Sequence, residues 1–220
     1  MMTRRPDRLL AIAHRSGNTV AGLREALDAG VDLVEADVHA FRGVLEVRHH
    51  KHLGPTHLWD KGEIVARSDF VRVELVELLE ELGEDSRLML DLKGVRRRLA
   101  PDVAEALRTA APGSPITVCT KHWWMLDAFD RPVRQVPSAS TQYSLSRLRR
   151  RLRATDRTYG VSVQLGLLTP HVVNELRARA DVVMTWPVDT SAALATARQL
   201  GVDGVISKNL DLLAQVLAGR

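Results

Sequence analysis

The sequence is poor in cysteine, aromatic residues and lysine, and it has no long apolar run. Its one cysteine, Cys119, excludes a disulfide within the chain and fits a reducing compartment. Aromatic residues make up 4% of the chain, and no basic–aromatic platform of the kind that stacks nucleic-acid bases is present, so nucleic-acid binding is not expected. No stretch approaches the roughly 18 apolar residues of a membrane-spanning helix. The apolar run at residues 9–13 is too short for a signal-peptide core and runs straight into His14-Arg15. A cytoplasmic protein without stable membrane insertion is expected. Arginine supplies most of the basic charge, and the net charge of +4 is mild. That balance suits an anionic small molecule better than a polyanion. No fixed-period repeat and no Gly/Pro/Ser-rich linker divides the chain.

What remains is an ordinary globular composition, 45% hydrophobic and 26% charged over 220 residues, long enough for one large core. Short apolar runs alternate with helical periodicity from end to end. Strands are expected at 9–13, 33–38, 44–48, 88–92, 116–120, 133–136, 161–165, 182–186 and 204–207. Helices are expected at 20–29, 70–82, 99–111, 122–129, 145–153, 170–179, 191–200 and 210–217. The stretch 51–67, rich in His, Gly and charge, reads as irregular. Strands separated by helices pair in parallel. If 33–38 and 44–48 form a hairpin around Arg42-Gly43, eight strands remain for a single-domain TIM (β/α)8 barrel. The runner-up, an open doubly wound sheet, lacks the Gly-rich phosphate loop after its first strand.

In such a barrel the chemistry lies at the C-terminal ends of the strands. His14-Arg15 ends the first strand and His49 the third. Glu35 and Asp37 lie two apart on the second, as do Asp91 and Lys93 at the end of 88–92. Residues two apart in a strand share a face. Carboxylates in apolar strands are costly to bury unless paired or bound to metal. Glu35, Asp37 and Asp91 converging at the mouth would form an all-oxygen site suited to Mg²⁺ or Ca²⁺. His14 and His49 beside it would divide acid and base roles, and Arg15 and Lys93 would hold a phosphate. A zinc site on His49, His50 and His52 explains less, and His39, His50 and His52 read as residues near the mouth. Trp123-Trp124 read as packing residues, with contact to a lipid or choline group as the alternative. The arginine-rich 147–153 reads as an exposed helix face, and Cys119 as a small buried hydrophobe.

The same residues carry a family resemblance. Ala13-His14-Arg15-Ser16-Gly17-Asn18-Thr19 resembles the opening of glycerophosphodiester phosphodiesterases, where a His-Arg pair is followed after a loop by Glu-Asn-Thr. Glu35-Ala36-Asp37-Val38 resembles their metal-binding Glu-x-Asp, 43–49 their strand ending in a second histidine, and Leu90-Asp91-Leu92-Lys93 their Glu-x-Lys. Residues 183–188 and 201–207 resemble the closing strands. The resemblance implies a TIM barrel, a divalent metal on Glu35, Asp37 and Asp91, acid–base catalysis by His14 and His49, and Trp186 as a wall of the substrate pocket. The implied reaction releases glycerol phosphate and an alcohol from a small-molecule glycerophosphodiester. The chain departs from the pattern in four places. Asp91 stands where Glu is usual, as in the related sphingomyelinase D and phospholipase D toxins. Gly17 replaces the usual Glu in a much shortened loop, His50 stands where Asp is usual, and the stretch between His49 and Asp91 is short. Two alternatives stay open: a lysophospholipase D or sphingomyelinase-D-like enzyme acting on a lysolipid, and a barrel that binds a phosphoryl ligand without catalysis. Oligomeric state is not read from the sequence.

Overall fold

The structure is a computed structural model and describes residues 8–219. Residues 1–7 and residue 220 lie outside the described residues. In chain order the elements are β1 (Leu10–Ala13), α1 (Val20–Asp28), β2 (Leu33–Phe41), β3 (Val44–Val47), β4 (Lys51–Leu53), β5 (His57–Asp60), β6 (Glu63–Ala66), β7 (Val73–Glu74) and α2 (Leu75–Leu82). They continue with β8 (Leu88–Leu92), α3 (Leu99–Ala110), β9 (Thr117–Thr120), β10 (Arg134–Ala139), α4 (Gln142–Ala154), β11 (Thr158–Gln164), α5 (Pro170–Arg177), β12 (Ala180–Trp186), α6 (Ser191–Leu200), β13 (Gly204–Ser207) and α7 (Leu210–Ala218).

The strands β1, β2 and β8 to β13 pair in parallel, and β1 pairs with both β13 and β2, so the sheet closes on itself. This is the eight-stranded barrel expected from the alternation of elements, with β2 and β3 as the expected antiparallel hairpin. Ile12, Leu33, Met89, Val136, Met184 and Ile206 pack inside it. The outward faces of the strands join the helices in a larger apolar cluster. Gly160 and Gly204 make room for Met184: a Cβ at either would lie 3.1 and 3.0 Å from its side chain. Most βα-turns end in a cap written in the sequence, since the side chains of Thr19, Thr141, Thr169, Thr190 and Asn209 each accept from a first-turn backbone N–H. Among the described residues no helix is long and apolar enough to cross a membrane.

Three expectations change. Residues 51–66 are not irregular: β4, β5 and β6 form a small antiparallel sheet. Its period-2 pattern is faint because Leu58 is its one fully buried side chain while Trp59 and Ile64 stay exposed. The helix expected from residue 70 starts at Leu75, where Glu74 and Glu77 form a capping box. Before it, β7 pairs with β3. The helix expected over 122–129 is a 3-10 run, Trp123–Ala128. Trp123 packs there and its Nε1–H donates to Ser138 O at 2.9 Å. The arginine-rich segment lies on α4, whose Leu145, Leu148 and Leu152 face inward while Arg149 and Arg153 pair with Glu175.

Candidate functional site

The C-terminal ends of β1, β2, β8 and β12 place the expected residues around one opening. His14, Arg15, Glu35, His49, Asp91, Lys93 and Trp186 line a shared pocket. Asp37 lies at its floor, fully buried. The β2–β8 register sets Asp37 beside Asp91, both facing inward. Like charges opposite each other on neighbouring strands repel, so this register needs a cation. Lys93 supplies one, with Nζ 2.7 Å from Asp37 Oδ1 and in contact with Asp91 Oδ2.

One lysine does not balance the cluster. Burial and then the neighbouring Asp37 push Glu35 well above the usual carboxylate range. Burial likewise raises Asp91, against the pull of Lys93. Burial also acts to raise Asp37, but the charge of Lys93 and hydrogen bonds from Lys93 and Asn18 outweigh it and hold Asp37 at about 2. The set thus carries more negative charge than its protein partners satisfy. Oxygens of Glu35, Asp37 and Asp91 lie within 4.8 Å of one another. Asp91 Oδ1 is buried without an N–H or O–H donor among the described residues. Three hard oxygen donors, closely spaced and under-neutralised, fit a Mg²⁺ or Ca²⁺ ion.

Backbone geometry holds these ligands. Arg15 sits in the left-handed region at φ 63, a conformation that costs a non-glycine residue about 1 kcal/mol or more. There its backbone N–H donates to Glu35 Oε2 at 2.6 Å while its guanidinium reaches His49 Nε2. Asn18 clasps Asp37 twice: its Nδ2–H donates to Oδ2 at 2.9 Å, and its Oδ1 accepts from the Asp37 backbone N–H at 2.7 Å. The site leaves no room for a side chain at Gly17, since a Cβ there would sit 2.8 Å from Ala36 Cβ and 3.1 Å from Glu35 O.

The two histidines differ. His14 Nε2 lies 3.9 Å from Glu35 Oε2. Burial, followed by the positive charge of Arg15, lowers His14 to about 4. His49 Nδ1 lies 2.8 Å from Asp60 Oδ2. With Arg15 donating at Nε2, the consistent tautomer of His49 carries its proton on Nδ1, toward Asp60. Burial lowers the His49 pKa as well, and Asp60 pulls against that.

Sequence reasoning missed Asp60 and Lys121. Asp60 comes from the unrecognised β5–β6 hairpin, and the signal that would have found it is Asp60-Lys61-Gly62, a tight-turn sequence between alternating residues. Lys121 follows β9, its Nζ 5.2 Å from the centre of the Trp186 ring. His39 and His52, expected in loops near the mouth, lie near it but on β2 and β4, with His52 stacked on Phe41 at 4.4 Å between ring centroids. Cys119 is buried in the barrel beside Asp91.

A (β/α)8 barrel with a carboxylate cluster, two histidines and two cations at its C-terminal mouth is the class that fold and site define. The model of the glycerophosphoryl diester phosphodiesterase family matches residues 182–211, which span β12, α6 and β13. No curated protein matches the chain. Solved structures resemble it over nearly its whole length. An Oleispira antarctica phosphodiesterase in complex with the product sn-glycerol-3-phosphate is 19% identical, with 97% of each chain covered and a TM-score of 0.75. A Thermotoga maritima glycerophosphodiester phosphodiesterase is 18% identical, with 96% of this chain and 99% of that one covered and a TM-score of 0.76. A Parabacteroides distasonis glycerophosphodiester phosphodiesterase is 17% identical, with 99% of each covered and a TM-score of 0.73. The chain therefore resembles this family in its fold and in its closing segment.

Proposed function

We propose that the protein is a phosphoric diester hydrolase that cleaves glycerophosphodiesters to glycerol phosphate and an alcohol, using a divalent metal. The observation that carries this reading is that oxygens of Glu35, Asp37 and Asp91 lie within 4.8 Å of one another at a pocket that His14 and His49 also line. The neighbour that binds sn-glycerol-3-phosphate supports a small-molecule substrate of that type.

Glu35, Asp37 and Asp91 would hold Mg²⁺ or Ca²⁺, which when bound neutralises phosphate oxygens and polarises a hydroxyl. Arg15 and Lys93 bind the phosphoryl oxygens, and Trp186 walls the pocket. One of His14 and His49 takes a proton from the attacking water and the other protonates the leaving alcohol oxygen, while Asp60 at Nδ1 of His49 steadies the charge that ring carries. Asp60 thus orients a catalytic histidine from an accessory hairpin, in a chain where His50 stands in place of the usual adjacent Asp. No observation favours the lysolipid alternative over this reading.

The test is turnover of a glycerophosphodiester panel after chelation, with Mg²⁺ or Ca²⁺ added back. Metal-dependent release of glycerol phosphate, lost in His14→Ala and His49→Ala, is the expected result. No turnover on any diester sinks the enzyme reading, and unchanged activity in both variants sinks the acid–base assignment.

A further inference from the structure

The chain has only five lysines, Lys51, Lys61, Lys93, Lys121 and Lys208. The fold gathers them at one end of the barrel. Lys51, Lys61, Lys93 and Lys121 line a cleft of about 650 Å³ that opens from the metal centre toward the β4–β6 sheet. Lys208 follows β13 at the same rim, where Arg15 and Lys61 act on it. Arginine carries the basic charge nearly everywhere else. The compact, three-donor ammonium group is thus concentrated where ligand enters.

The catalytic centre does not need this charge. Three carboxylates against one divalent ion, Arg15 and Lys93 leave a single positive charge, which the single negative charge of a diester neutralises. Lys51, Lys61 and Lys121 are surplus to that balance. None of them has a carboxylate within ion-pairing distance among the described residues. The nearest lining carboxylate outside the centre, Asp60, is engaged by His49. Lys61 is held in place at a cost: it stands at φ 48 and Gly62 at φ 94 in the β5–β6 turn, where Asn or Gly would adopt the first of these angles with less strain.

The aromatic rings point the same way. A cationic alcohol such as choline is bound over open aromatic faces. In this cleft Lys51 Nζ already sits 5.4 Å from the centre of the Trp59 ring, and Lys121 Nζ covers Trp186 at 5.2 Å. Both rings carry ammonium groups of the protein itself, which repel a second cation.

We infer that the cleft beside the metal centre is an anion subsite, and that the preferred substrate is a diester whose leaving alcohol bears a phosphomonoester. This rests on the diesterase reading and adds its substrate class. A phosphomonoester brings nearly two negative charges and three acceptor oxygens, which matches three convergent lysines.

The test compares glycerophosphoinositol with glycerophosphoinositol 4-phosphate on the metal-loaded protein. Binding is read by calorimetry at low and high salt, and hydrolysis as kcat/KM. The phosphorylated diester is expected to bind at least about tenfold more tightly, with the advantage shrinking as salt rises. The double variant Lys51→Gln/Lys61→Asn should abolish that advantage and leave glycerophosphoinositol turnover within about twofold, because Asn keeps the turn. Equal or weaker binding of the phosphorylated diester overturns the subsite, as does a double variant that weakens both ligands equally. Preference for glycerophosphocholine overturns it too. Loss of turnover on every diester would sink the diesterase reading, while the calorimetric comparison still decides the subsite.

Discussion

Replacing Asp60 by alanine removes the one carboxylate behind His49 and should lower kcat while sparing KM. The Nδ1–Oδ2 distance is 2.8 Å, and the two side chains are 22% and 21% exposed. A hydrogen bond to a charged partner contributes roughly 1.5–3 kcal/mol when well shielded. Partial exposure reduces that to about 1–2 kcal/mol, equivalent to about a 5- to 30-fold loss in kcat. Asp60 meets His49 at Nδ1, but it also lines the cleft, so the assay uses an unphosphorylated diester, for which KM should move less than about twofold. Asp60→Asn keeps an acceptor and loses the charge, so its loss should be smaller. Asp60→Glu should recover part of the rate. The assay is steady-state hydrolysis at saturating metal across pH, with a thermal melt to confirm folding. If Asp60→Ala keeps kcat within twofold of the parent while remaining folded, the positioning role is wrong.

Three further outcomes follow from the same geometry. Gly17→Glu would force a side chain against Ala36 and Glu35, so urea unfolding should show a loss of about 1–3 kcal/mol and metal titration a weaker site; an unchanged midpoint contradicts the contact. Glu46 and Arg48 are almost fully buried, with Arg48 Nε–H donating to Glu46 Oε2 at 3.0 Å and Arg67 on the other oxygen. Glu46→Ala strands the Arg48 charge and should cost about 3–5 kcal/mol in denaturant unfolding, more than Arg67→Ala on the rim; equal costs would contradict the buried-pair reading. His52 is lowered to about 4 by burial and then by Arg48 and Arg67. The unfolded chain therefore takes up this proton below about 6.5 while the folded chain resists it down to about 4, so stability is lost as pH falls through that window. One full proton would give about 1.4 kcal/mol per pH unit, and partial exposure reduces it. His14 is lowered over the same window, so His52→Phe should reduce but not remove the slope of the melting temperature between those pH values, and an unchanged slope would exclude a contribution from His52.

The sequence by itself determined the barrel and which side chains meet at its mouth. Alternating apolar runs and helical periods set eight parallel strands. Period-2 spacing put Glu35 with Asp37, and Asp91 with Lys93, on inward faces without any knowledge of neighbours. Those signals are local, so a single strand carries them. What only tertiary structure decided depends on distant elements meeting. The β4–β6 sheet buries little and therefore leaves a weak pattern, yet it brings Asp60 to His49 and Lys51 and Lys61 to the mouth. The reason for Gly17 lies on another strand, at Ala36. The choice between an open aromatic wall and one covered by lysine depended on where Lys121 and Lys51 come to rest. Strand periodicity fixes which way a side chain points, and only packing fixes what it meets there.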